Sequence, residues 1–283
     1  MIELQRRIYQ VYLEFKRVCD QHQLRYYAEG GTKIGATYWS GFIPWDDDMD
    51  LVMPLPDYER FLNEYSHELN APFAVFDGAQ CPHTDILFMK IHDTTTMCTM
   101  DITLPYPESY TGVLVDVNPL IPMPNESAER ELFKAELLSI MHELYEIRLF
   151  DAKGDWQSLI SQIKSIIHRY DYENAIYVQP LNALKNNQLF LKEDMDNSKL
   201  THFEESTIYN PHHAKSQIAT QYKNFRKNLP PAERTGHHSF LDLNHSCAYY
   251  AKRFQSEPII LETFRRYNFA NHDLREQLKS LEA

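Results

Sequence analysis

Apolar side chains recur every three or four positions at the start of the chain: Leu4, Ile8, Val11, Tyr12, Phe15, Val18 and Cys19. That spacing predicts an amphipathic helix over residues 2–22 with one buried face. Leu24–Ala28 reads as a short strand, Glu29-Gly30-Gly31 as a turn, and Thr32 as the cap of a helix reaching Ser40. Met49–Met53 is the next strand, closed by Pro54 and Pro56, after which Tyr58, Phe61, Leu62, Tyr65 and Leu69 restore helical spacing over 57–69. Strands are expected at Phe73–Phe76, Ile86–His92, Thr96–Met100 and Gly112–Asn118, the last a buried-strand pattern with a single Asp among its apolar residues. Pro119, Pro122 and Pro124 punctuate the chain there. Residues 126–190 carry a helical period in Leu132, Phe133, Leu137, Leu138, Met141 and Leu144; residues 198–245 read as irregular, rich in His and Pro; Pro258–Leu281 is helical again. The expected class is α+β with an α/β-type core: a mixed sheet flanked by helices, then a largely helical C-terminal half. The division is a core over 1–125, a helical insertion or extension over 126–195, and a C-terminal segment over 196–283 packing on the core.

Residues 41–51, Gly-Phe-Ile-Pro-Trp-Asp-Asp-Asp-Met-Asp-Leu, interrupt this pattern with four carboxylates in five positions: Asp46, Asp47, Asp48 and Asp50. Like charges so close repel unless something positive sits among them. A solvated acidic turn is the alternative, but Phe42, Ile43, Trp45 and the apolar run Leu51-Val52-Met53 frame the acids tightly. An EF-hand loop also begins Asp-x-Asp-x-Asp; it then needs Gly and Glu where Leu51 and Asp57 stand, and is rejected. Residues two apart on a strand share a side, so Asp48 and Asp50 project together as part of a Mg²⁺ site. Asp116 is the best third ligand, because a carboxylate between Val115 and Val117 is costly to bury unless paired or metal-bound. A core Asp satisfied by backbone or Arg is the plainer reading, and His92 and Asp93 are weaker candidates for the third position. Gly30, Gly31 and Thr32, between strand and helix, would let backbone approach a phosphate at a helix N-terminus, although Gly-Gly turns are common. Lys90, after the apolar Ile86–Met89, could reach the same phosphate or lie on the surface. Strand, Gly-Gly, helix, Asp-x-Asp and a later carboxylate are the order of the nucleotidyltransferase fold.

Composition narrows the chemistry further. Hydrophobic residues at 43%, with eighteen Tyr and fifteen Phe against eight Gly, suffice for a packed core and exclude low complexity. A net charge of −12 disfavours nucleic acid as a partner but leaves room for one nucleotide screened by metal. Cys19, Cys81, Cys98 and Cys247 are too scattered for a zinc ribbon or a disulfide framework and suit a reducing cytoplasm. The N-terminus lacks the apolar core of a signal peptide, and no apolar stretch approaches the roughly 20 residues of a membrane span, so at most peripheral membrane contact is expected. The paired histidines His212-His213 and His237-His238 lack helical zinc spacing and read as loop residues or acceptor contacts. Trp45 reads as a loop anchor, with base stacking as the alternative.

Gly31-Thr32-Lys33-Ile34-Gly35-Ala36 followed by the residue 41–50 motif resembles the LicD family, whose hallmark is Gly-Thr-Leu-Leu-Gly-Ala and then Gly-Phe-Ile-Pro-Trp-Asp-Asp-Asp-Ile-Asp. Met53-Pro54, Asp57–Phe61, Gly112–Leu120, Phe203-Glu204, and Leu229–Arg234 through His237-His238 are similar to its other motifs, so the likeness runs from about residue 1 to 240. The resemblance implies a nucleotidyltransferase-type fold that transfers a phospho-alcohol, phosphocholine foremost, from a CDP-linked donor to a sugar hydroxyl. It implies Mg²⁺, or Mn²⁺ in its place, on Asp48, Asp50 and Asp116 as the catalytic and metal triad. Gly30, Gly31 and Thr32 would face the donor phosphates. The expected acceptor is a glycan, or a lipid-linked glycan such as a lipopolysaccharide or teichoic acid precursor, met on the cytoplasmic face of a membrane and contacted from the C-terminal segment. Two departures stand out: the family's Arg after Gly-Ala-Val is absent from Ala36-Thr37-Tyr38-Trp39, and its Lys-x-Arg is Lys90-Ile91-His92. They keep two alternatives open: a nucleotidyltransferase moving NMP from NTP to a small molecule, and a non-catalytic LicD-like binding protein.

Overall fold

A computed structural model describes residues 1–186, 188–222, 230 and 240–282, with side chains described up to residue 273. The predicted first helix is α1, Glu3–His22, whose buried face is Ile8, Val11, Tyr12, Phe15, Val18 and Cys19. It packs on a mixed seven-stranded sheet. Strands β1 (Tyr27–Ala28), β2 (Asp50–Pro54), β3 (Phe73–Asp77), β4 (Met89–Asp93) and β6 (Leu114–Met123) run in the order β1-β2-β6-β4-β3. The pairing of β2 with β6 is parallel, and the other pairings in the sheet are antiparallel. Val113, Val115 and Val117 of the β6 segment, Leu51 and Met53 of β2, and Met89 and Ile91 of β4 all join the core beneath α1. The alternating residues Asp116, Asp50 and Lys90 are thereby turned to the opposite face.

That opposite face is covered lower down by α4 (Ser127–Leu149) and α5 (Trp156–Ile167), through Phe133, Leu137, Leu144, Ile160 and Ile163 against Val52, Leu120 and Ile121. β6 is longer than the Gly112–Asn118 pattern suggested. It continues through Pro119 and Pro122, pairing β4 over Leu114–Val117 and β7 (Tyr177–Pro180) over Leu120–Met123, and Pro119 falls between the two partners. The 126–190 region is thus helical only to Ile167, then returns to the sheet as β7 and β8 (Phe190–Leu191), strands too short to show a period.

Other expectations also shift. β1 keeps two residues because the Leu24 amide closes α1 onto the Cys19 carbonyl at 2.9 Å. Helix α2 is Gly30–Tyr38, with Glu29, not Thr32, as its N-cap residue. The 57–69 helix is α3 (Leu55–Arg60) followed by a π turn, Phe61–Tyr65, and a 3-10 turn, Ser66–Glu68. Residues 198–245, expected to be irregular, contain a hairpin: β9 (Lys199–Phe203) and β10 (Ser206–Asn210) around a turn in which Glu204 takes φ 54°. α6 (Lys192–Asp196) precedes the hairpin and α7 (Ala214–Gln221) follows it. Further on, β11 (Phe240–Asp242) pairs β5 (Met97–Thr99), and α8 (Cys247–Ser256) and α9 (Pro258–Glu282) pack over Met97, Leu104 and Tyr110. Among the described residues the cysteines are free thiols, and no helix is long and apolar enough to cross a membrane.

His92 on β4 is buried, and its Nδ1 accepts the Gly112 amide at 3.0 Å, which requires the neutral ring. Burial lowers its pKa to about 4, Asp93 opposing and Lys90 adding to the shift. The unfolded chain, with the ordinary value near 6.5, binds the proton first on acidification. Stability contributed by the neutral ring is therefore full above that value and falls as pH drops toward the folded value, by about 2 kcal/mol at pH 5. Urea melts at pH 7 and 5 should show His92→Gln losing less stability than wild type over that interval; equal losses would contradict this reading.

Candidate active site

Loop 41–48 carries the acids without regular structure, so its shape depends on what grips it. From α1, the buried Gln5 donates its Nε2 to the Ile43 and Asp46 carbonyls, both at 3.0 Å. From the β9–β10 turn, Glu204 accepts the Phe42 amide at 2.9 Å and its own amide donates to the Ser40 carbonyl at 2.9 Å. Phe203 meanwhile stacks edge-on against Phe42 with ring centroids 5.1 Å apart. From below, α2 presents Gly35 to the Gly41 carbonyl and the Ile43 amide, an approach that leaves no room for a Cβ. Trp45 is half-buried and meets Trp39 edge-to-face at 6.0 Å, consistent with a loop anchor.

The loop delivers the chain into β2, where the sheet aligns three charged residues. Asp50 is in register with Asp116 across the parallel β2–β6 pair, and Asp116 with Lys90 across β6–β4. The register is fixed locally: the Asp50 amide donates to Thr32 Oγ1 at 2.9 Å, the Glu29 amide to the Asp50 carbonyl at 3.1 Å, and the Asp116 amide to the Met49 carbonyl at 2.9 Å. Asp48 precedes the strand and lines, with Lys90 and Asp116, a cavity of about 270 Å³. Thus Asp50 and Asp116 stand abreast, and Asp48 and Asp116 face one cavity. Asp46, Asp47 and Asp48 also gather, with carboxylate oxygens within 4.8 Å of one another. Two acid groups therefore share Asp48. Among the described residues, the acids whose oxygens gather this closely are Asp46, Asp47 and Asp48 of the loop, while Asp50 and Asp116 are brought together by strand register.

Electrostatics single out Asp50. Burial pushes its pKa well up, and Asp48, Asp116, Glu29 and Asp46 push in the same direction. An ideal Cβ on Gly30 would lie 2.7 Å from Asp50 Oδ2, and one on Gly31 2.6 Å from Asp46 Oδ2. The two glycines therefore let carboxylates settle against the positive end of α2. Asp116 Oδ1 is buried and has no hydrogen bond; Lys90 Nζ lies 3.4 Å away, near enough for charge pairing but not aligned as a donor. Burial works against the Lys90 charge, yet Asp116 and Asp85 more than offset it and raise its pKa. Crowded carboxylates, all hard oxygen donors, are of a kind that suits Mg²⁺ or Mn²⁺.

The weaker third ligands are occupied elsewhere. His92 serves Gly112, while Asp93 accepts the Thr95 amide at 2.9 Å and the Thr95 hydroxyl at 2.6 Å. Lys33, where the family has Leu, is fully buried and pairs with Glu29 at 3.0 Å while donating to Gln221 of α7 at 2.8 Å. It thus locks α7 against α2 beside the acids. Just past α7, burial raises the pKa of the Tyr222 hydroxyl, and the charges of Glu29, Asp50, Asp46 and Asp48 add to the shift. His213 pairs with Asp194 at 2.6 Å as a loop histidine. The motif at 229–238, with Arg234, His237 and His238, lies outside the described residues apart from Pro230. Gln5, Glu29 and Tyr222 escaped the sequence reading because nothing in their spacing marks them. Phe203-Glu204 stood out as a motif, but its grip on the loop did not.

Residues 23–112, which span α2, the acidic loop, β2 and β4, match the family described as LicD/FKTN/FKRP, nucleotidyltransferase domain. A 54-residue stretch is 43% identical to the lipopolysaccharide cholinephosphotransferase LicD of Haemophilus influenzae, covering 19% of this chain and 20% of that protein. The match thus spans about a fifth of the relative's length. The acidic loop, the paired strands and the Gly-Gly helix start lie inside or beside the matched span, so residues 23–112, about a third of the chain, carry the similarity to that family.

Proposed function

We propose that this protein transfers a phospho-alcohol, phosphocholine from CDP-choline foremost, to a sugar hydroxyl of a cell-surface glycan or teichoic acid precursor. The observation that carries the reading is the register that sets Asp50 beside Asp116 and Asp116 beside Lys90, with Asp48 on the same cavity. Asp48, Asp50 and Asp116 would hold the divalent cation, Mg²⁺ or Mn²⁺, which when bound neutralises diphosphate charge. Lys90 across the sheet would orient the donor phosphates, while Gly30 and Gly31 seat the Asp50 and Asp46 carboxylates and Thr32 holds the Asp50 amide. The acceptor hydroxyl oxygen forms a bond to the alcohol-side phosphorus, its proton passes to the Asp116 carboxylate, and the bond from that phosphorus to CMP breaks. The family match over residues 23–112 supports the reaction class, as does the cholinephosphotransferase name of the Haemophilus relative.

The test is CMP release from CDP-choline with Mg²⁺ and a lipopolysaccharide core oligosaccharide or teichoic acid fragment. Release that needs both metal and acceptor supports the proposal. Pyrophosphate release from an NTP with no CDP-choline turnover would instead favour nucleotidyl transfer. The grip on the loop gives a second expectation. Glu204→Ala should lower kcat about tenfold to a hundredfold, because a shift of the order of 1 Å in a positioned carboxylate is that costly. Its melting temperature should fall by a few degrees at most, the cost of leaving the buried Phe42 amide unpaired, about 1–3 kcal/mol; an unchanged kcat would refute the positioning role.

A further inference from the structure

The charged row of the site continues one strand further. Asp50, Asp116 and Lys90 stand in register across β2, β6 and β4, and the next partner of Lys90 is Phe76 on β3. Phe73 and Val75 pack toward the core beneath α1, so Phe76 is turned to the face that carries the charges. Phe88, two residues before Lys90, shares that face: Met89 between them is buried in the core, and the Phe88 carbonyl accepts the Gly78 amide at 3.1 Å, which extends the β3–β4 pairing. Both rings line the cavity of about 270 Å³ that Asp48, Lys90 and Asp116 also line. Neither belongs to the apolar clusters beneath α1, under α4 and α5, or under α8 and α9, and among the described residues neither meets another aromatic ring. The face of such a ring carries partial negative charge and suits a cation. Lys90 Nζ lies 5.8 Å from the Phe88 ring centroid, at the far limit of that contact.

Much of the remaining wall has no proton to give. Thr103 donates to the Met100 carbonyl at 3.1 Å and bonds Thr99 at 3.0 Å, Thr111 donates to the Cys98 carbonyl at 2.8 Å, and Ser109 donates to the His83 carbonyl. With their protons spent, these hydroxyls have only lone pairs left to offer. Lys90 is the cation of the lining, and it is paired with Asp116 at 3.4 Å. Asp85 adds an exposed carboxylate at the rim, whose charge reaches Lys90. The cavity thus presents aromatic faces and acceptors. A cytosine base needs donors for its carbonyl and ring nitrogen and would leave both unpaired here. A neutral polyol would find acceptors but no use for the two rings. An alkylated ammonium meets both surfaces, its charge against the rings and a carboxylate. The volume falls just below the usual range for a whole ligand, about 300–1,000 Å³, and suits one small group.

We propose that Phe76, Phe88 and Asp85 form the subsite for the cationic end of the transferred alcohol, and that they select an alkylated ammonium alcohol over a neutral polyol. The inference rests on the phosphotransfer reading of the carboxylates and adds which residues choose the alcohol. Two carbons separate the ester oxygen from the nitrogen in such an alcohol, so a phosphorus beside Asp116 and Lys90 puts the nitrogen about 5 Å further on, one strand spacing toward Phe76.

The experiment is calorimetry on the full chain with Mg²⁺ and no acceptor. The probes are CDP-choline, CDP-neohexanol (the same shape with carbon in place of the charged nitrogen), CDP-glycerol and CMP. Wild type should bind CDP-choline about tenfold tighter than CDP-neohexanol or CDP-glycerol. Asp85→Asn, at an exposed position, and Phe76→Leu should each weaken CDP-choline about fivefold and leave the affinities for CDP-neohexanol and CMP unchanged. A loss of fold would lower all of these affinities together, so the ratio of CDP-choline to CDP-neohexanol is the readout. If wild type binds CDP-choline no tighter than CDP-neohexanol, or if both variants keep the wild-type ratio, the subsite is refuted and the phosphotransfer reading is untouched. If the ratio depends on these residues but CMP release fails, the subsite stands and the transfer reading fails alone. If none of the CDP-alcohols binds, both fail.

Discussion

Asp50→Asn is expected to reduce CMP release from CDP-choline by about 10³-fold and at the same time to stabilise the metal-free protein. The rate loss follows from removing a charge that must hold a cation and its diphosphate in place, an effect on the scale of a lost electrostatic clamp. The stability gain follows from crowding: burial and four neighbouring carboxylates all oppose the Asp50 charge, and an amide of the same shape relieves them. If the relief is about 1 kcal/mol, the melting temperature in EDTA rises by about 2–4 °C for a chain of this size. Mg²⁺ should raise the wild-type melting temperature and leave that of the variant nearly unchanged. Scanning calorimetry with and without Mg²⁺ separates the two effects. A variant that is less stable than wild type in EDTA would show that the acids are satisfied within the protein alone.

Gly35→Ala should destabilise the fold by about 3 kcal/mol and lower activity with it. The sign is the informative part. Gly35 lies inside α2, where alanine ordinarily stabilises a helix by about 1 kcal/mol. Here a Cβ would collide with the Gly41 carbonyl and crowd the Ile43 amide, both backbone atoms of the acidic loop. Neither can give way without moving the segment that Gln5 and Glu204 hold, so the cost is that of overpacking a rigid site. Urea denaturation measures it directly. A variant as stable as wild type would mean that the loop is not clamped between α1, α2 and the β9–β10 turn.

Much of the site is legible in the order of residues because it is built on a sheet. The apolar run along 113–117 marks a strand buried on both faces, and the lone carboxylate within it announces a partner. The same logic places Asp50 at the start of β2, and the register of the two strands brings the pair together. The loop that presents Asp46–Asp48 is another matter. Its clamps, Gln5 and Glu204, lie far apart in the chain and act through a few hydrogen bonds to backbone, for which no periodicity exists. The extension of β6 through two prolines, the return of β7 and β8 to the sheet, and the hairpin at 199–210 were hidden for a related reason. Strands of two to five residues carry too few alternations to read, and their stability comes from neighbours distant in the chain. The helix start at Gly30 in place of Thr32 arises from Thr32 spending its hydroxyl oxygen on the Asp50 amide, a tertiary bond that replaces a local cap.

The central claim is that the acids of β2 and β6 share a divalent cation. Crystals soaked in Mn²⁺ and measured at the manganese absorption edge test it most directly. The account predicts an anomalous peak among the carboxylates of Asp48, Asp50 and Asp116, lost in Asp116→Asn. A peak confined to Asp46 and Asp47 on the loop, or no peak at all, would contradict it.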